Sequence, residues 1–95
     1  MIKSFSCRKT EALFTDSAHS FEKNIARVAY RKLAMVDAAI SLDDLKVPPN
    51  NRLEKLKGYK NPSRYSIRIN NKWRVTFNWK DTDAFNVKIE DYHRG

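Results

Sequence analysis

Glycine is scarce in this 95-residue chain: there are two, Gly58 and Gly95. A Walker loop, a dinucleotide fingerprint and an EF-hand each need glycine at fixed offsets, and none can be assembled here. Cys7 is the one cysteine. It excludes a disulfide framework and a cysteine metal site, and it fits a reducing cytoplasm. His19 and His93 stand too far apart for a local zinc motif. No run approaches ~18 apolar residues, so no transmembrane helix is expected. The opening MIKSFSCRKTEALF has basic residues but lacks the ~7–15-residue apolar stretch of a secretory signal. ATPase, oxidoreductase and zinc-enzyme chemistry are thereby all disfavoured, and no cofactor is expected.

Acidic residues are nearly missing from one segment. Between Arg52 and Lys80 there are nine basic side chains and a single acid, Glu54. That segment carries +8, the formal charge of the whole chain. It also holds the aromatic, strand-like runs with Tyr65, Trp73, Phe77 and Trp79. A positive field on a rigid sheet suits a polyanion, and in a cell that points to nucleic acid.

Length and composition predict one domain spanning residues 1–95, with enough apolar content (41%) for one modest core. Ile2–Phe5 alternates like a short edge strand. Arg8–Phe14 reads as a brief helix with Ser6 as its cap. From Phe21 to Ile40, apolar residues at Phe21, Ile25, Val28, Leu33, Val36 and Ile40 repeat one helical face, with alanines between them. Ser41-Leu-Asp-Asp44 has the form of a capping box, and Pro48-Pro49-Asn50-Asn51 ends helical structure.

Beyond that point the period becomes two. Tyr65–Ile69, Trp73–Trp79 and Phe85–Ile89 alternate apolar with polar and predict three antiparallel strands, with Leu53–Lys57 as an irregular fourth. A three-residue loop, Asn70-Asn71-Lys72, sets Tyr65 opposite Phe77 and Ile67 opposite Val75. A second loop, Asp81-Thr82-Asp83, would set Trp79 opposite Phe85, Phe77 opposite Val87 and Val75 opposite Ile89. The expected fold is α+β: two N-terminal helices packed on one face of a twisted antiparallel sheet of four to five strands.

This register places Arg68 directly opposite Arg74 on the face away from the helices. Like charges facing across strands are unfavourable. Either an anion bridges the pair or Glu90, on the far side of Arg74, neutralises it. Lys55 and Lys57 are expected to extend the patch. The ending Glu90-Asp91-Tyr92-His93 is the one titratable cluster. RNA cleavage needs a base for the ribose 2′-OH, cations for the charge gathering at phosphorus, and an acid for the leaving oxygen. Asp91 or His93 suits the proton transfers. His19, in a polar loop context, reads as a capping or surface residue, and Cys7 as small filler.

The chain resembles the HigB-type toxins of the RelE/ParE superfamily over nearly its whole length. The resemblance rests on Met1-Ile-Lys-Ser-Phe5, Leu56-Lys57-Gly58, Tyr65-Ser-Ile67, Trp73-Arg74-Val75-Thr76-Phe77 and Asp91-Tyr92-His93. It implies a RelE-like fold and a cytoplasmic, metal-independent endoribonuclease. Such an enzyme cuts mRNA in the ribosomal A site by 2′-OH attack. By the same resemblance, Lys57 and Arg74 contact or neutralise phosphate. Arg68, Lys55 and Lys72 lie in the phosphate-binding set. Asp91 and His93 serve as acid–base groups, and Tyr92 stacks on or orients the substrate. Implied partners are the 70S ribosome with mRNA and a cognate helix-turn-helix antitoxin (HigA-like). Operator DNA is reached only through that complex, and no membrane is involved. One departure stands out: well-studied HigB-type members carry histidine where this chain has Glu54. Glu54 either substitutes as a base or repels the phosphate and weakens the toxin. Two other readings remain open, a non-catalytic RNA- or ribosome-binding or corepressor module and a ParE-like gyrase poison. The Asp91-Tyr92-His93 ending argues against the second.

Overall fold

A computed structural model describes residues 1–15, 21, 23–58 and 63–91. His19, Tyr92 and His93 lie outside the described residues. Helices α1 (Arg8–Thr15) and α2 (Lys23–Ala38) lead into two 3-10 turns, Leu42–Lys46 and Pro49–Asn51. Four strands follow: β1 (Glu54–Lys55), β2 (Arg64–Arg68), β3 (Trp73–Lys80) and β4 (Asp83–Asp91). They form one antiparallel sheet in the order β1-β2-β3-β4. The N-terminal segment adds a parallel fringe, with bridges Ile2–Ala84 and Phe5–Val87 along β4. The architecture is the expected α+β one. Among the described residues no helix is long and apolar enough to cross a membrane.

Local chemistry accounts for most boundaries. Asp44 Oδ2 accepts the Ile40 and Ser41 N–H groups at 2.9 and 3.3 Å, the carboxylate half of the capping box. Ser6, expected to cap α1, instead donates its hydroxyl to the Asn86 carbonyl at 3.1 Å. The Cys7 carbonyl takes the Glu11 N–H at 3.1 Å and opens the helix. Between β2 and β3, Asn70 Oδ1 accepts the Lys72 and Trp73 N–H groups, both at 2.8 Å. This Asx-type turn fixes the expected register, Tyr65 with Phe77, Ile67 with Val75 and Arg68 with Arg74.

The next hairpin departs from expectation. Lys80 pairs with Asp83 across a two-residue turn, so Trp79 faces Ala84 and not Phe85. A register shift between Thr76 and Asn78 restores Val75 opposite Ile89. Asn86 absorbs the extra residue at φ +52°, a left-handed conformation that asparagine tolerates. Ala84 consequently joins the core, and Phe85 does not.

The core lies between α2 and the helix-side face of the sheet. On α2 the fully buried line is Ala29, Leu33 and Val36, with Ala26 beside it. The small alanines, expected only to fill in, sit at the centre of the contact. Ile40 is 72% exposed, because α2 ends before it. Phe77 is the largest fully buried side chain and meets Tyr65 and Trp79 at ring-centroid distances of 6.3 Å each. Phe77→Ala is expected to cost about 3–5 kcal/mol, read as a lowered urea midpoint.

Candidate nucleic-acid site on the polar sheet face

Residues directly opposite in an antiparallel ladder share a face. The pairs Glu54–Ser66, Ser66–Thr76, Arg64–Asn78, Arg68–Arg74, Arg74–Glu90 and Thr76–Lys88 therefore put one polar set on the face away from the helices. Although it faces away from the core, this set is not fully solvated. Ser66 and Thr76 are completely buried, and Arg64 is 6% exposed. Longer side chains cover the short ones and bond to their hydroxyls.

Arg64 organises one half. Its Nη1 donates to Asn78 Oδ1 at 3.0 Å, and its Nη2 to Thr76 Oγ1 at 2.8 Å and to the Asn86 carbonyl at 3.0 Å. Asn86 Nδ2 donates to the same Asn78 oxygen at 3.0 Å. The Thr76 hydroxyl donates a hydrogen bond to Glu90 Oε2. Glu90 in turn lies 4.0 Å from Arg64 and 3.8 Å from Lys88. Beside these groups is a polar hollow of about 290 Å³ that Ser6 and Lys88 help to line.

Arg74 organises the other half. Its Nη1 donates to Ser66 Oγ at 3.1 Å, and its Nη2 pairs with Glu54 Oε1 at 3.3 Å. Glu90 thus does not supply Arg74 with the neutralising partner expected of it. Glu90 is opposite Arg74 in register, but its carboxylate is engaged by Thr76, Arg64 and Lys88. Glu54 reaches Arg74 from β1, two strands away, and Arg68 turns to Asn71. Both members of the Glu54–Arg74 pair are mostly shielded from solvent, so it is screened less than a surface pair.

Lys57 is exposed in the turn after β1, next to Gly58 at φ +87°. Lys55 pairs with Tyr65, which sets it on the opposite face from Arg74. Lys72 is exposed in the β2–β3 turn with its ammonium 5.4 Å from the Trp73 ring centroid. Asp91 ends β4 opposite Trp73, so the register places it on the helix-side face, while its neighbour Glu90 shares the face of Arg74. The structure therefore brings Arg74, Glu54 and Arg68 to one face and sets Asp91 and Lys55 on the other. Tyr92 and His93 fall outside the described residues.

Sequence reasoning left Arg64, Ser66, Thr76 and Asn78 out of the candidate site. The signal was present, since polar residues recur at every second position through Arg64-Ser66-Arg68 and Arg74-Thr76-Asn78. Alternation alone reports a solvated face, and here that face is covered by its own long side chains.

Comparison with known proteins gives this geometry a family. The model of RelE-like HigB toxins of type II toxin–antitoxin systems matches residues 3–93. A Vibrio cholerae protein named Toxin HigB-1 is 39% identical over 70 residues, 73% of this chain and 72% of the relative. A Proteus vulgaris protein named Endoribonuclease HigB is 31% identical over 97 residues, 98% of this chain and 100% of the relative. An uncharacterised Haemophilus influenzae protein is 30% identical over 79 residues, 83% of this chain and 77% of the relative. The chain belongs to the HigB-like toxins of type II toxin–antitoxin systems.

Proposed function

We propose that this toxin is a ribosome-dependent mRNA endoribonuclease acting from the polar sheet face. The observation that carries the reading is Arg74, a guanidinium anchored by Ser66 on a rigid strand beside Arg68, at the centre of a face otherwise built of hydrogen-bonding groups. The name of the Proteus vulgaris relative supports the chemistry.

In this mechanism a base removes the ribose 2′-OH proton. The 2′-oxygen forms a bond to the adjacent phosphorus as the bond to the 5′-oxygen breaks, leaving a cyclic phosphate. An acid returns a proton to the departing 5′-oxygen. His93 is the proposed proton carrier and Tyr92 orients or stacks on a base, while Asp91, on the opposite face from Arg74 by register, is left out of the direct proton transfers. Stacking on an unpaired base is worth ~1–3 kcal/mol. Arg74, with Lys57, Arg68 and Lys72, takes the negative charge that builds on the phosphate oxygens. Lys55, on the opposite face by register, adds to the long-range field and not to direct contact. A planar guanidinium suits this task because its fork matches two phosphate oxygens at once.

A type II toxin has a cognate antitoxin as its partner. The proposed form of that partner is a helix-turn-helix HigA-like protein that carries the toxin to operator DNA, and the proposed compartment is the cytoplasm.

Glu54 sets the strength of the toxin. Its ion pair occupies the edge of Arg74 that a phosphate would need. A hydrogen bond to a charged group is worth about 1.5–3 kcal/mol, so breaking this one slows the reaction by about tenfold or more. Glu54→His is therefore expected to raise codon-register cleavage about tenfold in a translating extract. Unchanged or lower cleavage would refute the weak-toxin account and leave Glu54 as a participant in catalysis. The pair also favours a second reading, a binding module whose Arg74 is kept neutralised. That module would bind ribosomes or RNA with cleavage absent in both the parent chain and Glu54→His.

A further inference from the structure

A cleft of about 520 Å³ opens between α2, the Pro49–Asn51 turn and the β2–β3 hairpin. Three cations line it, Arg31, Lys32 and Arg68, and none of its described lining residues is acidic. Val28, Met35 and Ile69 add apolar lining beside them.

Lys32 makes the cleft unusual. The residue is 7% exposed, and its Nζ donates to Asn51 Oδ1, a neutral amide. Among the described residues no carboxylate forms an ion pair with it. Burial, with the charge of Arg31 added, holds its ammonium below the ordinary lysine value. Buried charges are normally compensated by an opposite charge, and here the compensating group is missing from the described part of the chain.

We propose that this cleft receives an acidic segment of the cognate antitoxin, with one carboxylate seated among Arg31, Lys32 and Arg68 and an adjoining apolar side chain against Val28, Met35 and Ile69. Charge complementarity selects the acidic group. The apolar lining selects a peptide over RNA, since an RNA backbone would leave it uncovered and none of the described lining residues is an aromatic ring on which a base could stack. The cleft excludes the Glu54–Arg74 pair and shares only Arg68 with the proposed phosphate-binding set.

The test is titration of the full-length antitoxin encoded beside this chain into full-length toxin carrying Arg31→Glu or Asn50→Glu. Both positions are exposed and belong to none of the groups proposed for catalysis. Each variant is expected to weaken antitoxin binding tenfold or more, with a smaller loss at high salt. Thermal melting should stay near that of the parent chain, and mRNA cleavage should be unchanged. Parental antitoxin affinity in both variants would overturn the proposal. So would weakened ribosome or RNA binding with antitoxin affinity intact, which would assign the cleft to RNA. Antitoxin affinity is read without any cleavage, so the outcome stands even if the nuclease reading fails.

Discussion

Arg74→Ala is expected to lower mRNA cleavage by roughly two to three orders of magnitude, the usual cost of deleting one preorganised group that faces developing charge. Two effects act in the same direction. The phosphate loses a guanidinium held by Ser66 at 3.1 Å, and Glu54 loses the partner that neutralises it at 3.3 Å. A carboxylate deprived of that guanidinium repels the substrate more strongly. Arg74→Ala/Glu54→Gln should therefore recover part of the lost rate, which removal of phosphate contact alone would not explain. Arg74→Lys should rescue little, because an ammonium cannot present the fork. Single-turnover cleavage with melting curves for each variant checks this, and a loss of less than tenfold in Arg74→Ala would remove Arg74 from the machinery.

The second large effect is on stability. Arg64→Ala is expected to destabilise the fold by about 3–5 kcal/mol, the range seen when one member of a buried charged network is removed. Arg64 is 6% exposed and supplies bonds to Asn78, Thr76 and the Asn86 carbonyl. Its loss leaves these acceptors short of a donor and brings Glu90 nearer to an uncompensated charge. At about 4–8 °C per kcal/mol for a chain of this size, the melting temperature should fall by more than about 10 °C. Arg64→Met restores volume but no donor and should remain well below the parent chain. A shift of only a few degrees in both variants would mean that the network is a solvated surface and not a second, polar core.

Such a polar core also explains where sequence reasoning succeeded and where it stopped. Tyr65-Ser-Ile67 and Trp73-Arg-Val-Thr-Phe77 alternate cleanly, and a loop of the right length between them forces Ile67 onto Val75, so strand identity and register were both legible. The second hairpin was not. Ala84 and Phe85 are adjacent and both apolar, so period two cannot say which turns inward, and the bulge at Asn86 leaves no signature beyond a residue that tolerates positive φ. Helix α2 was legible in extent, but its larger apolar residues suggested a face shifted from the Ala26–Ala29–Leu33–Val36 line, because close approach to the sheet favours small side chains.

In the site, the same register argument placed Arg68 and Arg74 together correctly. It could not show that Glu54, from β1, would reach across to Arg74 while Glu90, directly opposite, went to Thr76 and Arg64. Side-chain direction decides that choice, and strand pairing does not encode it. Asp91 illustrates the same limit: adjacency to Glu90 in sequence means the opposite face in a strand.

The central claim is tested most directly by mapping mRNA 5′ ends by primer extension in a translating extract, with the purified chain and its Arg74→Ala variant side by side. The account predicts cuts in codon register that require ribosomes and disappear in the variant. An absence of cuts from the parent chain, or cuts that persist undiminished in Arg74→Ala, would contradict it.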